Sequence, residues 1–248
     1  MVLFSMDYPT IFKQIYDESE KVEFYLKKNI KKVFLGKQGR YISPNIHYDI
    51  VTMPNTHNQY LLYWNIPDPE AFYFGNCALK EKNSLSGSAL LLKDNEGKQH
   101  AITYKRYKTF VNKQLFWTDG LHTFTPHFFS RYRERMDIES RASINDVIAA
   151  FCARNLNYFV EVDYNEMILP KDRKENGALY AIKDGIMIVE RTWPEVDGRK
   201  ILLEEVKTFL SGHNLKIDQT DHVPSKEDIC NYAREVFKKY NGYDFEDL

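Results

Sequence analysis

The 248-residue sequence predicts an α+β protein. Three observations lead there. Apolar residues repeat at helical spacing over the first 35 positions and again in mid-chain. Runs of β-branched and aromatic residues, punctuated by turn residues, fill much of the remainder. The order of these segments gives N-terminal helices, an antiparallel sheet section, a central helix pair, an antiparallel β-meander and a C-terminal helix.

The helical lead-in spans residues 9–35. Ile11, Phe12, Ile15 and Tyr16 share one face, as do Val22, Leu26, Ile30 and Phe34, and Gly36 and Gly39 close the segment. Residues 41–57 read as irregular, because Pro44, Pro54 and Asn55 interrupt them and Asn58 follows. Strands are expected at Tyr60–Trp64, Phe72–Leu79, Ser88–Leu92 and Ala101–Tyr104, with a hairpin turn over Lys93–Lys98.

The mid-chain helix has a clear start. Thr125 is placed to cap it, and Pro126 fits the first turn, where its missing N–H costs nothing. Ser143 would cap a second helix with Asp146 at its third position, and Val147, Ile148, Phe151 and Cys152 give that helix an apolar side. Strands follow at Tyr158–Val162, Met167–Leu169, Ala178–Ile182 and Ile186–Arg191, with turns at Asp184-Gly185 and Val196–Arg199; in Ile201–Leu210, Leu202, Val206 and Phe209 fit a helix, but the position after a turn fits a returning strand, which is the reading preferred. Residues 212–224 read as linker, and Ser225 opens a final helix striped by Ile229, Ala233, Val236, Phe237 and Tyr240. Three regions result: 1–119, helical then β-rich; 120–212, an α+β unit; and 213–248, linker and helix. They also fit one compact unit.

Net charge is −1, so overall charge makes no case for nucleic acid. Its distribution says more: residues 1–141 carry 20 Lys and Arg against 15 Asp and Glu, the remainder 14 against 20. Lys98–Lys113 holds five basic residues and no acid, interleaved with Tyr104, Tyr107 and Phe110, a pattern shared by single-strand binders and by strands with one wet face. Three cysteines, Cys77, Cys152 and Cys230, have neither disulfide-framework nor metal-ligand spacing. With no signal peptide and no apolar run of membrane length, the expectation is a cytoplasmic protein making no membrane contact.

The chemistry-bearing stretch is Thr125–Met136. His127, Arg131 and Arg135 fall at i, i+4 and i+8, stacking an imidazole and two guanidinium groups along one helix face. A proton-transfer group beside two cations suits work on a phosphate; a core helix with a solvated basic face has the same pattern. His122 and His127 could seat a metal only with a third ligand, and no carboxylate lies at ligand spacing. His47 and His57, near Asp49, read as surface residues. Ser84–Ser88 lacks the nucleophile-elbow pattern, and the glycines form neither a P-loop nor a dinucleotide fingerprint.

Residues 120–212, with the sequence His127-Phe128-Phe129-Ser130-Arg131-Tyr132-Arg133-Glu134-Arg135, resemble the barnase–EndoU–colicin–RelE-like superfamily of metal-independent ribonucleases and toxins. Many of its mobile-element members carry a helix of the form His-(Ala/Phe)-x-x-Arg-x-x-x-Arg. Gly177-Ala178-Leu179-Tyr180 and Lys207-Thr208-Phe209-Leu210 are similar to segments of that group's central strands; residues 1–119 have no counterpart. The resemblance implies RNA cleavage or RNA binding without cofactor or metal. His127 would act as acid or base, Arg131 and Arg135 would hold the phosphate, and Tyr180, Lys207 and Thr208 would contribute from the sheet. It also implies RNA and an immunity or antitoxin protein as partners. The rival expectation is a non-catalytic protein of the same architecture serving as a protein-interaction module.

Overall fold

A computed structural model describes residues 2–34, 40–43, 46–65, 85–111, 114–156, 159–162, 177–182 and 184–211. Helix α1 (Tyr8–Phe34) is one continuous helix where the sequence suggested several. Strands β1 (Arg40–Ser43), β2 (Ile46–Thr52), β3 (Gln59–Asn65), β4 (Leu85–Lys93), β5 (Gln99–Val111) and β6 (Gln114–Phe124) follow. Helices α2 (Pro126–Arg135) and α3 (Ile144–Asn155) come next. The chain then gives β7 (Phe159–Val162), β8 (Gly177–Ile182), β9 (Gly185–Thr192), the short hairpin β10 (Glu195–Val196) and β11 (Arg199–Lys200), and β12 (Leu202–Ser211). The α+β class is what the sequence leads one to expect. The strand expected at Phe72–Leu79, that at Met167–Leu169 and the C-terminal helix lie outside the described residues.

Among the described residues ten strands form one mixed sheet in the order β1-β2-β3-β4-β5-β6-β12-β9-β8-β7. Every neighbouring pair is antiparallel except β6 with β12, which run parallel with Leu202 opposite Gly120 and Val206 opposite Phe124. The intervening α2 and α3 make this parallel return possible, since parallel neighbours need a long crossover. The position Asp119-Gly120, read as a boundary, lies inside β6, and the sheet is continuous across it.

Residues 41–57 are not irregular. They hold most of β1 and all of β2, and β2 pairs with β3 from Ile46–Asn65 to Thr52–Gln59. Pro54, Asn55 and Asn58, read as interruptions, shape the turn after β2, where His57 donates its backbone N–H to Met53 O at 2.9 Å; Pro44 lies outside the described residues.

The sheet is covered on both faces. Beneath α1 lies a core of Ile11, Phe12, Ile15, Val22, Trp64, Leu90, Leu121 and Leu203. On the opposite face α2 and α3 bury Phe128, Phe129, Tyr132, Val147, Ile148 and Phe151 against Phe124, Val206 and Phe209. Phe151 anchors this second core, with ring centroids 4.9 Å from Phe128, 5.1 Å from Tyr132 and 5.2 Å from Phe124.

Both caps form as the sequence indicates. Thr125 Oγ1 accepts the Phe128 N–H at 3.2 Å. Ser143 accepts from the Asp146 N–H at 3.2 Å, while the Asp146 carboxylate accepts the Ser143 N–H at 2.6 Å, a full capping box. Gly185 turns β8 into β9 at φ +156°, and a Cβ there would run into the Leu210 carbonyl, so only glycine fits.

Candidate functional site

Helix α2 presents two sides. Phe128, Phe129 and Tyr132 are fully buried against the sheet. His127, Ser130, Arg131 and Glu134 are exposed on the other side. Arg131 donates from Nη1 to Glu134 at 3.1 Å, the i,i+3 pair its spacing permits. Arg135 is half-buried, and its Nη1 is enclosed without a hydrogen-bond partner. Burial and the neighbouring Arg131 charge both lower its proton affinity.

Tyr180 is buried on the sheet face beneath the helices, whereas His127 is exposed on α2. Lys207 is on the opposite, α1 face, held by Glu190 at 3.1 Å and by Glu205, and Thr208 is half-buried on the same strand. The six residues singled out from the sequence therefore do not share one space. His127, Arg131 and Arg135 stay together on α2, while Tyr180, Lys207 and Thr208 divide between the sheet's two faces and its bulged strand. The two histidines weighed as a metal pair are also parted, since His122 is buried in the sheet and His127 is exposed.

Tyr180 instead belongs to a charged cluster on the α2–α3 face, built by strand alternation. Thr103 and Lys105 project from β5, His122 from β6, Glu204 from β12, Arg191 from β9 and Tyr180 from β8. The sheet registers place Thr103 opposite His122, His122 opposite Glu204, and Glu204 opposite Arg191. Glu204 is fully buried and accepts from His122 Nε2, from the Tyr180 hydroxyl and, at 3.0 Å, from Arg191 Nε. Arg191 also donates to the Tyr180 oxygen and lies over its ring, 5.2 Å from the centroid.

These contacts fix the protonation pattern. Burial alone would raise Glu204, but hydrogen bonds from His122, Tyr180 and Arg191 hold its carboxyl at about 2. Burial outweighs the pull of Glu204 and lowers His122, so the imidazole is neutral near pH 7. Its Nε2–H then donates to Glu204, and Nδ1 accepts from Thr103 Oγ1 at 3.5 Å. Burial also brings the Lys105 amine down to about 7, against the attraction of Glu204, with the buried Cys152 thiol near it.

The order Glu204, His122, Thr103 matches an orienter, base and hydroxyl relay. Thr103 is 2% exposed and His122 1%, which leaves no room for a substrate at that hydroxyl. Arg191 and Lys105 are the partly exposed members of the cluster, although the Lys105 amine itself lies deep enough for burial to lower its proton affinity. With one carboxylate among three cationic or imidazole groups, the donor set suits an anion rather than a metal ion. Among the described residues no three His, Cys, Asp or Glu side chains group as a metal site, and no helix is long and apolar enough to cross a membrane.

Sequence reasoning missed Lys105, Arg191 and Glu204. The available signal was a basic residue in the Lys98–Lys113 run and acidic residues inside the apolar Ile201–Leu210 segment. Comparison with known proteins finds no matching family model, curated protein or solved structure.

Proposed function

We propose that this protein cleaves RNA without a metal, with the sheet-face cluster as its centre. The observation that carries this reading is the charged cluster across β5, β6, β12, β9 and β8, whose partly exposed members carry an amine of lowered proton affinity and a guanidinium. Burying so many charged groups is costly and is a mark of functional sites. The ribonuclease resemblance of residues 120–212 points to the same substrate class.

In this reading the neutral Lys105 amine takes the ribose 2′-hydroxyl proton as O2′ bonds to phosphorus. Arg191 steadies the extra charge on the phosphorane oxygens with its fork of N–H donors. The P–O5′ bond breaks, and the leaving oxygen takes its proton from solvent. Glu204, Tyr180 and His122 are positioning residues that hold Arg191 and set the field at Lys105. His127, Arg131 and Arg135 on α2 take no part in this reaction. The test is purified protein with end-labelled RNA in excess EDTA. Products ending in a 2′,3′-cyclic phosphate support the reading, and intact RNA across homopolymer and structured substrates contradicts it.

The burial of Glu204 and His122 favours a second reading, a non-catalytic module for a protein partner in which the cluster only braces the sheet. Intact RNA together with a lowered urea midpoint in Arg191→Ala would favour it.

A further inference from the structure

On the opposite face, α1, the β5–β6 hairpin and the β10–β11 hairpin enclose an open cleft of about 840 Å³. Its walls combine flat aromatic surface with fixed cations. Trp117 is 54% exposed and Tyr16 41%. Arg106 lies over the Tyr16 ring, 5.9 Å from its centroid, and is held there by Asp119, which accepts from Arg106 Nε at 2.8 Å and from the Tyr104 hydroxyl at 2.7 Å. The opposite rim carries exposed Arg199 and Lys200 on β11.

The hairpin supplying Trp117 and Arg106 extends past its neighbours. On one side, pairing with β4 ends at Ile102; on the other, pairing with β12 begins only at Gly120. Residues 105–111 and 114–119 thus form a two-stranded ribbon with no third strand among the described residues, and its α1 side is one wall of the cleft.

We propose that this cleft binds single-stranded nucleic acid, with a base on Trp117 and the adjoining phosphate on Arg199 and Lys200; the Tyr16 ring, stacked on Phe12 and covered by Arg106, shapes the wall beside it. The chemistry favours that occupant over an acidic peptide. Two of the cleft's cations are already matched by carboxylates, Arg106 by Asp119 and Lys13 by Asp197 at 3.4 Å. With Asp17 also in the lining, the charge left for a ligand is small, and the Trp117 face supplies the larger attraction. Stacking of this kind tolerates any base. The Arg106–Asp119–Tyr104 chain fixes one wall in advance, which spares a ligand the cost of ordering it. The site stands independently of cleavage at the opposite face.

The experiment uses fluorescein-labelled dA12, which lacks the 2′-hydroxyl and so cannot be cut by the proposed reaction. Binding to the full chain is followed by anisotropy, alongside an equally long oligoglutamate. The expected result is saturable dA12 binding that weakens about tenfold in Trp117→Ala, is largely kept in Trp117→Phe, and loses part of its salt dependence in Arg199→Ser/Lys200→Ser. Trp117 and the β11 cations are exposed, and circular dichroism checks that the variants fold. Absence of dA12 binding, affinity unchanged in Trp117→Ala, or oligoglutamate binding as tightly as dA12 would overturn the proposal. None of these outcomes bears on whether RNA is cleaved.

Discussion

At the scale of single residues, the protein's chemistry depends on how Glu204 is satisfied. Its buried carboxylate has three donors from three different strands, so removing its charge strands the others. Glu204→Gln is expected to cost about 3 kcal/mol, read as a lower urea midpoint at unchanged slope. The same contacts set a pH dependence. His122 has its proton affinity lowered on folding, so its share of stability is present above the ordinary value of 6.5 and declines as pH falls below it. Glu204 is also lowered, so its share is present above 4.5 and lost as pH falls through about 2. Urea midpoints should therefore drop steadily from pH 7 to pH 3, and His122→Asn should flatten the upper part of that fall. Some of this scale was readable in sequence. Thr125 and the Ser143–Asp146 pair act within one turn of their own helices, and such local chemistry needs no knowledge of the fold. Glu204 was not readable, because its partners lie 13, 24 and 82 positions away.

At the scale of elements, α2 and α3 form one aromatic wedge on the sheet. Phe151 touches Phe124, Phe128, Phe129 and Tyr132, so its truncation leaves a cavity bounded by stiff rings. Phe151→Ala is expected to lose about 3–5 kcal/mol by urea denaturation, with a well-dispersed native NMR spectrum retained at low temperature. The helical periods of α1, α2 and α3 were visible because one face of each is apolar. Strand β6 went unrecognised: Trp117, Thr118, Asp119 and His122 give it no apolar alternation, since one side carries polar groups that are satisfied by other strands. Likewise β2 was hidden by the turn residues around it, which mark its ends and not its absence.

At the scale of the whole molecule, the parallel return of β12 onto β6 is the decisive step. It joins the six strands β1–β6 to the four strands β7, β8, β9 and β12 and brings Lys105 and His122 from the first set to Glu204, Arg191 and Tyr180 from the second. Neither set contains the cluster alone. Sequence periodicity reports on single elements, so it could suggest the α+β class but not which strands become neighbours. That is why the helix trio His127, Arg131 and Arg135, adjacent in sequence, stood out, while the cluster assembled by topology did not.

The most direct test compares single-turnover RNA cleavage in EDTA by the wild-type protein, Lys105→Met, Arg191→Ala and His127→Ala, each first confirmed to be folded. The account predicts that the two sheet variants slow cleavage by about 100-fold or more, that His127→Ala stays within about threefold of wild type, and that the wild-type rate rises with pH to a plateau above an inflection near 7. Loss of cleavage in His127→Ala, with Lys105→Met and Arg191→Ala still active, would contradict it and return the centre to the face of α2.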